Sequence, residues 1–255
     1  MFIPLHDANS LRYIKMQYVT FGLIAANVIV YLLTSLQSEQ AAVATVYGLG
    51  YVPSVAFDLR ELPPAYHIIP ENLTYITYSF LHGDLFHLGG NMLFLWVFGD
   101  NVEDALGHVK YLLFYLLCAA AGAFLHGLVA PDSDVPLIGA SGAIAGIVSA
   151  YLILHPRVRV WVLAFGRIPL RIPAWITLAA WIALQFFMFF AGGEEQVSWA
   201  AHVGGIVAGA VLVMALKRPG VPLFDREVVT PRAVRTHEPA PQPAPEAPSQ
   251  PWGRQ

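Results

Sequence analysis

Along this chain, apolar residues gather into long runs separated by clusters of polar residues, prolines and glycines. The runs cover residues 18–36, 85–99 with an extension to about 104, 109–130, 137–154, 172–191 and 197–216. A hydrocarbon core needs roughly 20 helical residues to cross it, so the pattern predicts six spans. Inside lipid no water satisfies the backbone, and a bundle of helices is the arrangement that satisfies these runs internally. The predicted fold class is therefore all-α: a polytopic membrane bundle of six helices with a long outer loop, residues 37–84, between the first and second. Arg12 and Lys15 precede the first run and Ala42-Val43-Ala44 imitates a cleavage site, yet the run's length of 19 residues exceeds the roughly 7–15 of a signal peptide core. It is read as a span.

Composition supports the same solvent. Hydrophobic residues make up 56% and charged residues 12% of the chain, with a mean hydropathy of +0.57, against roughly 45–50% and 25% in soluble domains. Three segments result: residues 1–17 as an N-terminal arm, 18–216 as the membrane domain, and 217–255 as a tail. The tail carries nine prolines in the 37 residues from Pro219 onward, including "EPAPQPAPEAPSQP", and reads as disordered. The outer loop, punctuated by Pro53, Pro63, Pro64 and Pro70, is long enough to contain short interfacial helices. With the N-terminus inside, thirteen of fourteen Lys and Arg fall on one side, and only Arg60 lies on the other. Both termini are thus expected to be cytoplasmic, and the compact six-span layout suggests a bacterial inner membrane. A net charge of -3 without a basic run excludes a nucleic-acid partner. The single Cys118 permits no internal disulfide and is expected to pack as a small apolar side chain.

The candidate chemistry lies in the few polar residues at membrane depth. Spans 2, 4 and 6 all run inward from the outer side. If span 4 starts near Leu137, Ser141 lies about 6 Å below its end, and His202 lies about 7–8 Å below the start of span 6 near Val197. His87 and Asn91 occupy the first turns of span 2 at i,i+4 spacing, on one face. A lone membrane serine usually bonds back to its own helix, whereas an interior histidine is costly and marks function. His126 of span 3 has no evident company and is read as lining a wet cavity. Small residues at four-residue spacing, Gly142, Gly146 and Ala150 in span 4 and Ala201, Gly205 and Gly209 in span 6, allow close backbone approach. That approach brings Ser141 toward His202. A serine hydroxyl attacks a carbonyl when a neutral histidine takes its proton, and the Ser141 N–H with the His87 and Asn91 side chains can surround the resulting oxyanion. No carboxylate lies at this level, so a Ser141–His202 dyad is expected rather than a triad, with no metal and no cofactor.

The motifs "HLGGNM" at 87–92, "GASG" at 139–142 and "AHVGG" at 201–205, in this order on spans 2, 4 and 6, resemble those of the rhomboid intramembrane serine proteases. The resemblance covers about residues 18–216 and includes "FLHGDLFHLGGNMLFLWVFGDNVEDALG". It implies a six-helix rhomboid-like bundle in which Ser141 is the nucleophile, His202 the base, and His87 and Asn91 part of the oxyanion site. Gly139, Gly142, Gly205 and Gly209 support the site, His82 supports the outer loop, and Glu103 and Gly107 match structural positions. Two positions depart from the pattern: Leu73-Thr74 replaces a Trp-Arg pair, and Ala145 replaces an aromatic residue that often stacks on the catalytic histidine. The implied substrate is a transmembrane segment of another protein, reaching the site sideways from the bilayer between spans 2 and 5, with helix-weakening or small residues near the cut. Gly192-Gly193-Glu194-Glu195 is a candidate cap over the site, with its glycines as hinges. The other class of reading is a catalytically silent relative that binds membrane clients. HExxH is absent, Asp84 and Asp100 sit at span ends, and no inverted repeat or midplane charge pair is present; these points weigh against metalloprotease, aspartyl protease and transporter.

Overall fold

The computed structural model describes residues 2–164, 166–192 and 198–225. Nine α-helices and three strands occur among them: β1 (Phe2–Asp7), α1 (Tyr18–Ser35), α2 (Glu39–Leu49), α3 (Pro53–Ala56), α4 (Thr74–Thr77), α5 (Leu85–Leu106), α6 (His108–Val129), α7 (Ser141–Leu154), β2 (Arg159–Ala164), β3 (Ile168–Pro173), α8 (Ala174–Ala191) and α9 (Trp199–Leu216). Four helices, α1, α6, α8 and α9, are long and apolar enough to cross a membrane. Helix α5 has 22 residues but carries Asp100, Glu103 and Asp104 in its last turns.

The apolar run 137–154 behaves differently from its prediction. Only its last 14 residues are helical, about 21 Å at 1.5 Å per residue. Eleven of the fourteen are buried, so α7 is the central post of the bundle, and a helix wrapped in protein has no need to match the hydrocarbon thickness. The preceding residues are drawn out of helix. Leu137 forms a two-way bridge with Tyr51 (N···O 2.8 and 3.1 Å), and the Gly139 N–H donates to Tyr78 O at 3.0 Å. The depth of Ser141 therefore follows from a loop that dips into the molecule, rather than from a helix that begins at Leu137.

The bundle is closed by small residues. A methyl group on Gly205 would overlap the Gly142 carbonyl oxygen, and one on Gly209 would overlap the Gly146 carbonyl. α7 and α9 thus run backbone to backbone, as small-xxx-small faces allow. Cys118 of α6 fills the space beside Gly146, where its Sγ would lie 2.5 Å from an added methyl, in the apolar packing role expected of it.

At the opposite end from Ser141 the all-α expectation fails. β1, β2 and β3 form an antiparallel sheet in the order β1-β2-β3, with Pro4 opposite Val162 and Val162 opposite Leu170. The reason is legible in β2, where Val160, Val162 and Ala164 are buried and alternate with Arg159 and Trp161, the period of two of a strand with one covered face. Gly166, at φ +68°, turns the chain into β3. Of the basic residues of 157–171, which mark orientation, Arg159 takes an outward position of β2, Arg167 lies in the turn and Arg171 is half-buried in β3. The strand that completes the sheet comes from the N-terminal arm.

Two carboxylates at the end of α5 tie this arm down. Asp104 accepts from the N–H groups of Arg12, Tyr13 and Ile14 at 2.7–2.8 Å. Glu103, fully buried, accepts from Val19 N, Thr20 N and Thr20 Oγ1 at 2.7–3.0 Å. A carboxylate there satisfies the unpaired N–H groups of the first turn of α1 and complements its dipole. Residues 217–225, at the start of the expected tail, dock on the bundle: Arg218 N donates to Ala105 O, Phe224 N to Ile153 O and Asp225 N to Leu154 O, at 2.7–3.0 Å. The remainder of the Pro-rich tail lies outside the described residues, as do Gly193, Glu194 and Glu195 of the candidate cap.

Candidate active site

The site grows from the N-terminus of α7. Ser141 is its first residue, behind a cap residue, Ala140, that offers no side-chain acceptor. Its N–H and those of the following residues have no partner within the helix, and they point along the positive end of its dipole. Gly139, at φ +118°, makes the turn into Ser141. An added methyl there would sit 2.7 Å from Cε1 and Nε2 of His87. Glycine is required twice, for the backbone angle and for the ring that lies against it.

α5 brings two of the expected groups to this turn. Asp84 caps the helix by accepting from Phe86 N at 2.7 Å and His87 N at 2.9 Å, which sets the start of α5 and the height of His87. One turn on, Asn91 is buried, and its Nδ2 donates to His82 Nε2 at 3.0 Å. The same Nδ2 lies 3.9 Å from the methyl position of Gly139. The His82 ring meets the His87 ring edge-on at 5.0 Å. Burial, reinforced by the neighbouring His87, holds the His82 imidazole down at about 4, so at neutral pH it is uncharged and acts as a hydrogen-bond acceptor.

α9 supplies His202. Ser198 caps that helix by accepting from Ala201 N at 3.1 Å. Gly142, next to Ser141, lies against Ala201, next to His202: the Ala201 carbonyl oxygen is 3.3 Å from the Gly142 methyl position. Ser141 and His202 are thus neighbours of the closest crossing of α7 and α9. No Ser141–His202 hydrogen bond is formed among the described residues. Catalytic hydrogen bonds in unliganded sites are often loose and tighten only around substrate.

Two features absent from the sequence reading complete the surroundings of His202. Gln185 of α8, itself buried, has its Oε1 at 2.8 Å from His202 Nδ1. The signal was available, since Gln185 is the only amide in an otherwise apolar run, and polar residues inside a membrane helix are costly. Trp181 and Trp199 flank the His202 ring, with centroids at 6.2 and 5.9 Å. Trp181 is tilted to the His202 ring and Trp199 meets it edge-on, so the aromatic neighbours of this histidine come from α8 and its own helix. His126 also differs from expectation. It is not solitary, since Ser198 Oγ lies 2.8 Å from its Nδ1, which fastens the start of α9 to α6.

On the bilayer side, the gap between α5 and α8 is bridged by Phe94 and Trp181, whose rings are 5.9 Å apart. Below them, a cavity lined by Pro4, Phe98, Val162, Thr177 and Leu178 reaches the sheet. Among the described residues, no group of three or more His, Cys, Asp or Glu side chains is arranged to hold a metal ion.

The mostly helical fold with four helices apolar enough to cross a membrane places the chain among membrane proteins, and comparison with known sequences identifies the family. The Rhomboid domain profile matches residues 70–219; the chain belongs to the rhomboid family. It is 28% identical over 188 residues to Rhomboid protein 1, mitochondrial, of Saccharomyces cerevisiae, covering 65% of this chain and 51% of that protein. It is 27% identical over 200 residues to the human Presenilin-associated rhomboid-like protein, mitochondrial, covering 76% and 47%. It is 28% identical over 184 residues to Rhomboid-like protein 11, chloroplastic, of Arabidopsis thaliana, covering 70% and 65%. The chain spans about half to two thirds of the length of these relatives. Their names overturn the expected bacterial inner membrane with cytoplasmic termini, because these relatives are mitochondrial or chloroplastic. The physical reason is that hydropathy and basic-residue bias report spans and relative sidedness; they carry no information about which membrane receives the bundle.

Proposed function

We propose that this chain is an intramembrane serine endopeptidase in which α1, α5, α6, α7, α8 and α9 form a six-helix membrane bundle. The observation that carries this reading is the placement of Ser141 at the free N-terminus of α7, one residue from the point where α7 meets α9 beside His202. His202 Nε2 takes the proton of Ser141 Oγ as the oxygen attacks the scissile carbonyl, and returns it to the leaving amine. Water then hydrolyses the acyl-enzyme with the same base. Developing charge on the carbonyl oxygen is met by the N–H groups at the start of α7 and by the His87 and Asn91 side chains.

The substrate class proposed is a transmembrane segment of another protein, laterally admitted between α5 and α8 past Phe94 and Trp181. A helix keeps its carbonyls in backbone hydrogen bonds, so the bond to be cut must first be drawn into an extended form. Segments with helix-weakening or small residues near the cut are therefore favoured. The test is cleavage of a transmembrane test substrate co-reconstituted in liposomes. Wild type is expected to cut it and Ser141→Ala to leave it whole, with a Gly- or Pro-containing segment cut faster than a uniformly helix-stabilised one. Binding of the segment without cleavage by wild type would favour the client-binding reading instead.

A further inference from the structure

Gln185 contributes something to the site that the dyad alone lacks. Its amide is held on both sides: Nε2 donates to Trp181 O, one turn back on α8, at 3.1 Å, and Oε1 faces His202 Nδ1 at 2.8 Å. With the amide nitrogen committed to its own helix, the atom facing the imidazole is an acceptor only. The proton of neutral His202 must then sit on Nδ1, which leaves the Nε2 lone pair free.

From this geometry we infer that Gln185 is a positioning residue that fixes the Nδ1–H tautomer and the ring plane of His202, so that Nε2 is presented as the base; the inference deepens the reading of Ser141 and His202 proposed above. The same helix face ties this role to the lateral gap. Trp181 and Gln185 are four residues apart on α8 and therefore adjacent on its surface. One touches Phe94 across the gap and the other holds the base, so the helix that borders the gap also carries the group that orients His202. An imidazole without the amide samples both tautomers, and only one of them can accept a proton from Ser141.

The experiment uses the full chain with Gln185→Leu, which removes the acceptor at similar volume, and Gln185→Glu, which restores it. Cleavage kinetics on the reconstituted test substrate are read beside the ¹⁵N spectrum of histidine-labelled protein, with the His202 signal assigned by its loss in His202→Ala. The expected result is a pure Nδ1–H signal in wild type and a tautomer mixture in Gln185→Leu. In that variant kcat is expected to fall by about 10- to 100-fold, a part of the ~10²–10⁴ a general base contributes, with KM within about twofold. Gln185→Glu is expected to recover most of kcat. An Nε2–H signal in wild type, or a Gln185→Leu variant with unchanged tautomer and kcat, overturns the inference. A wild type that shows the Nδ1–H signal but cuts nothing leaves the positioning intact and sinks the protease reading instead.

Discussion

At the scale of single residues, the site depends on glycines whose hydrogen is the contact. An added methyl at Gly205 overlaps the Gly142 carbonyl, so Gly205→Ala is expected to lower stability by about 1–3 kcal/mol as α7 and α9 are forced apart. A thermal melt of the detergent-solubilised protein measures this, and an unchanged midpoint would contradict the close crossing. His87→Ala and Asn91→Ala each remove one proposed oxyanion donor. Each should slow Ser141 acylation by ~10²–10³, read as the rate of active-site labelling, while the melt stays close to wild type. Ser141, His202, His87 and Asn91 stand out in the sequence as candidates, because a polar side chain in an apolar run is conspicuous and i,i+4 spacing places it on a face; the structure sets His87 against the Gly139 turn that leads into Ser141. Gln185 was equally conspicuous. Its partner is not legible in the sequence, because His202 lies on another helix and nothing in the run 172–191 says which face meets it.

At the scale of elements, the boundaries of α5, α6, α8 and α9 follow the apolar runs closely, since an apolar surface must meet lipid or protein over its whole length. α7 does not, because Leu137 pairs with Tyr51 and Gly139 turns, and neither event leaves a mark in hydropathy. The sheet was hidden for another reason. The alternation in β2 is local, but its partner β1 lies about 150 residues earlier in the chain, and pairing at that distance has no local signature. β1 carries its own prediction. Burial pushes the Asp7 carboxyl up to about 7, with the Tyr151 hydroxyl hydrogen bond opposing this and Asp100 reinforcing it. A carboxyl raised on folding favours the docked strand fully below its ordinary value near 4 and loses that contribution as pH rises through 7. Exchange of the Ile3, Leu5, His6 and Asp7 amides, corrected for intrinsic rates, should therefore accelerate between pH 5 and 8, and Asp7→Asn should abolish the dependence. The same slope in both proteins would exclude Asp7 as its source. The gap between α5 and α8 gives another: Phe94→Ala is expected to raise the cleavage rate of a transmembrane substrate severalfold while leaving labelling by a small soluble probe unchanged. Equal effects on both would place Phe94 in the chemistry rather than in substrate passage.

At the scale of the whole molecule, the two ends of the bundle are built differently. One end holds the loop turns, His82, and the proposed dyad with its amide and indole neighbours; the other is locked by Glu103, Asp104 and the sheet. This division explains why the N-terminal arm, which reads as a separate polar segment, is instead part of the frame: it supplies a strand and three N–H groups to Asp104. α8 joins the two ends: its first residues hydrogen-bond back to Val158 and Pro156 beside the sheet, and its buried Gln185 reaches His202. The central claim is that Ser141 is an activated nucleophile with His202 as its base. Labelling of the purified chain by a fluorophosphonate probe, with the modified residue located by peptide mass spectrometry, tests it most directly. The expected result is a phosphonyl group on Ser141 in wild type and none in Ser141→Ala or His202→Ala. A folded wild-type protein that takes up no label, or labelling at Ser141 that persists in His202→Ala, would contradict it.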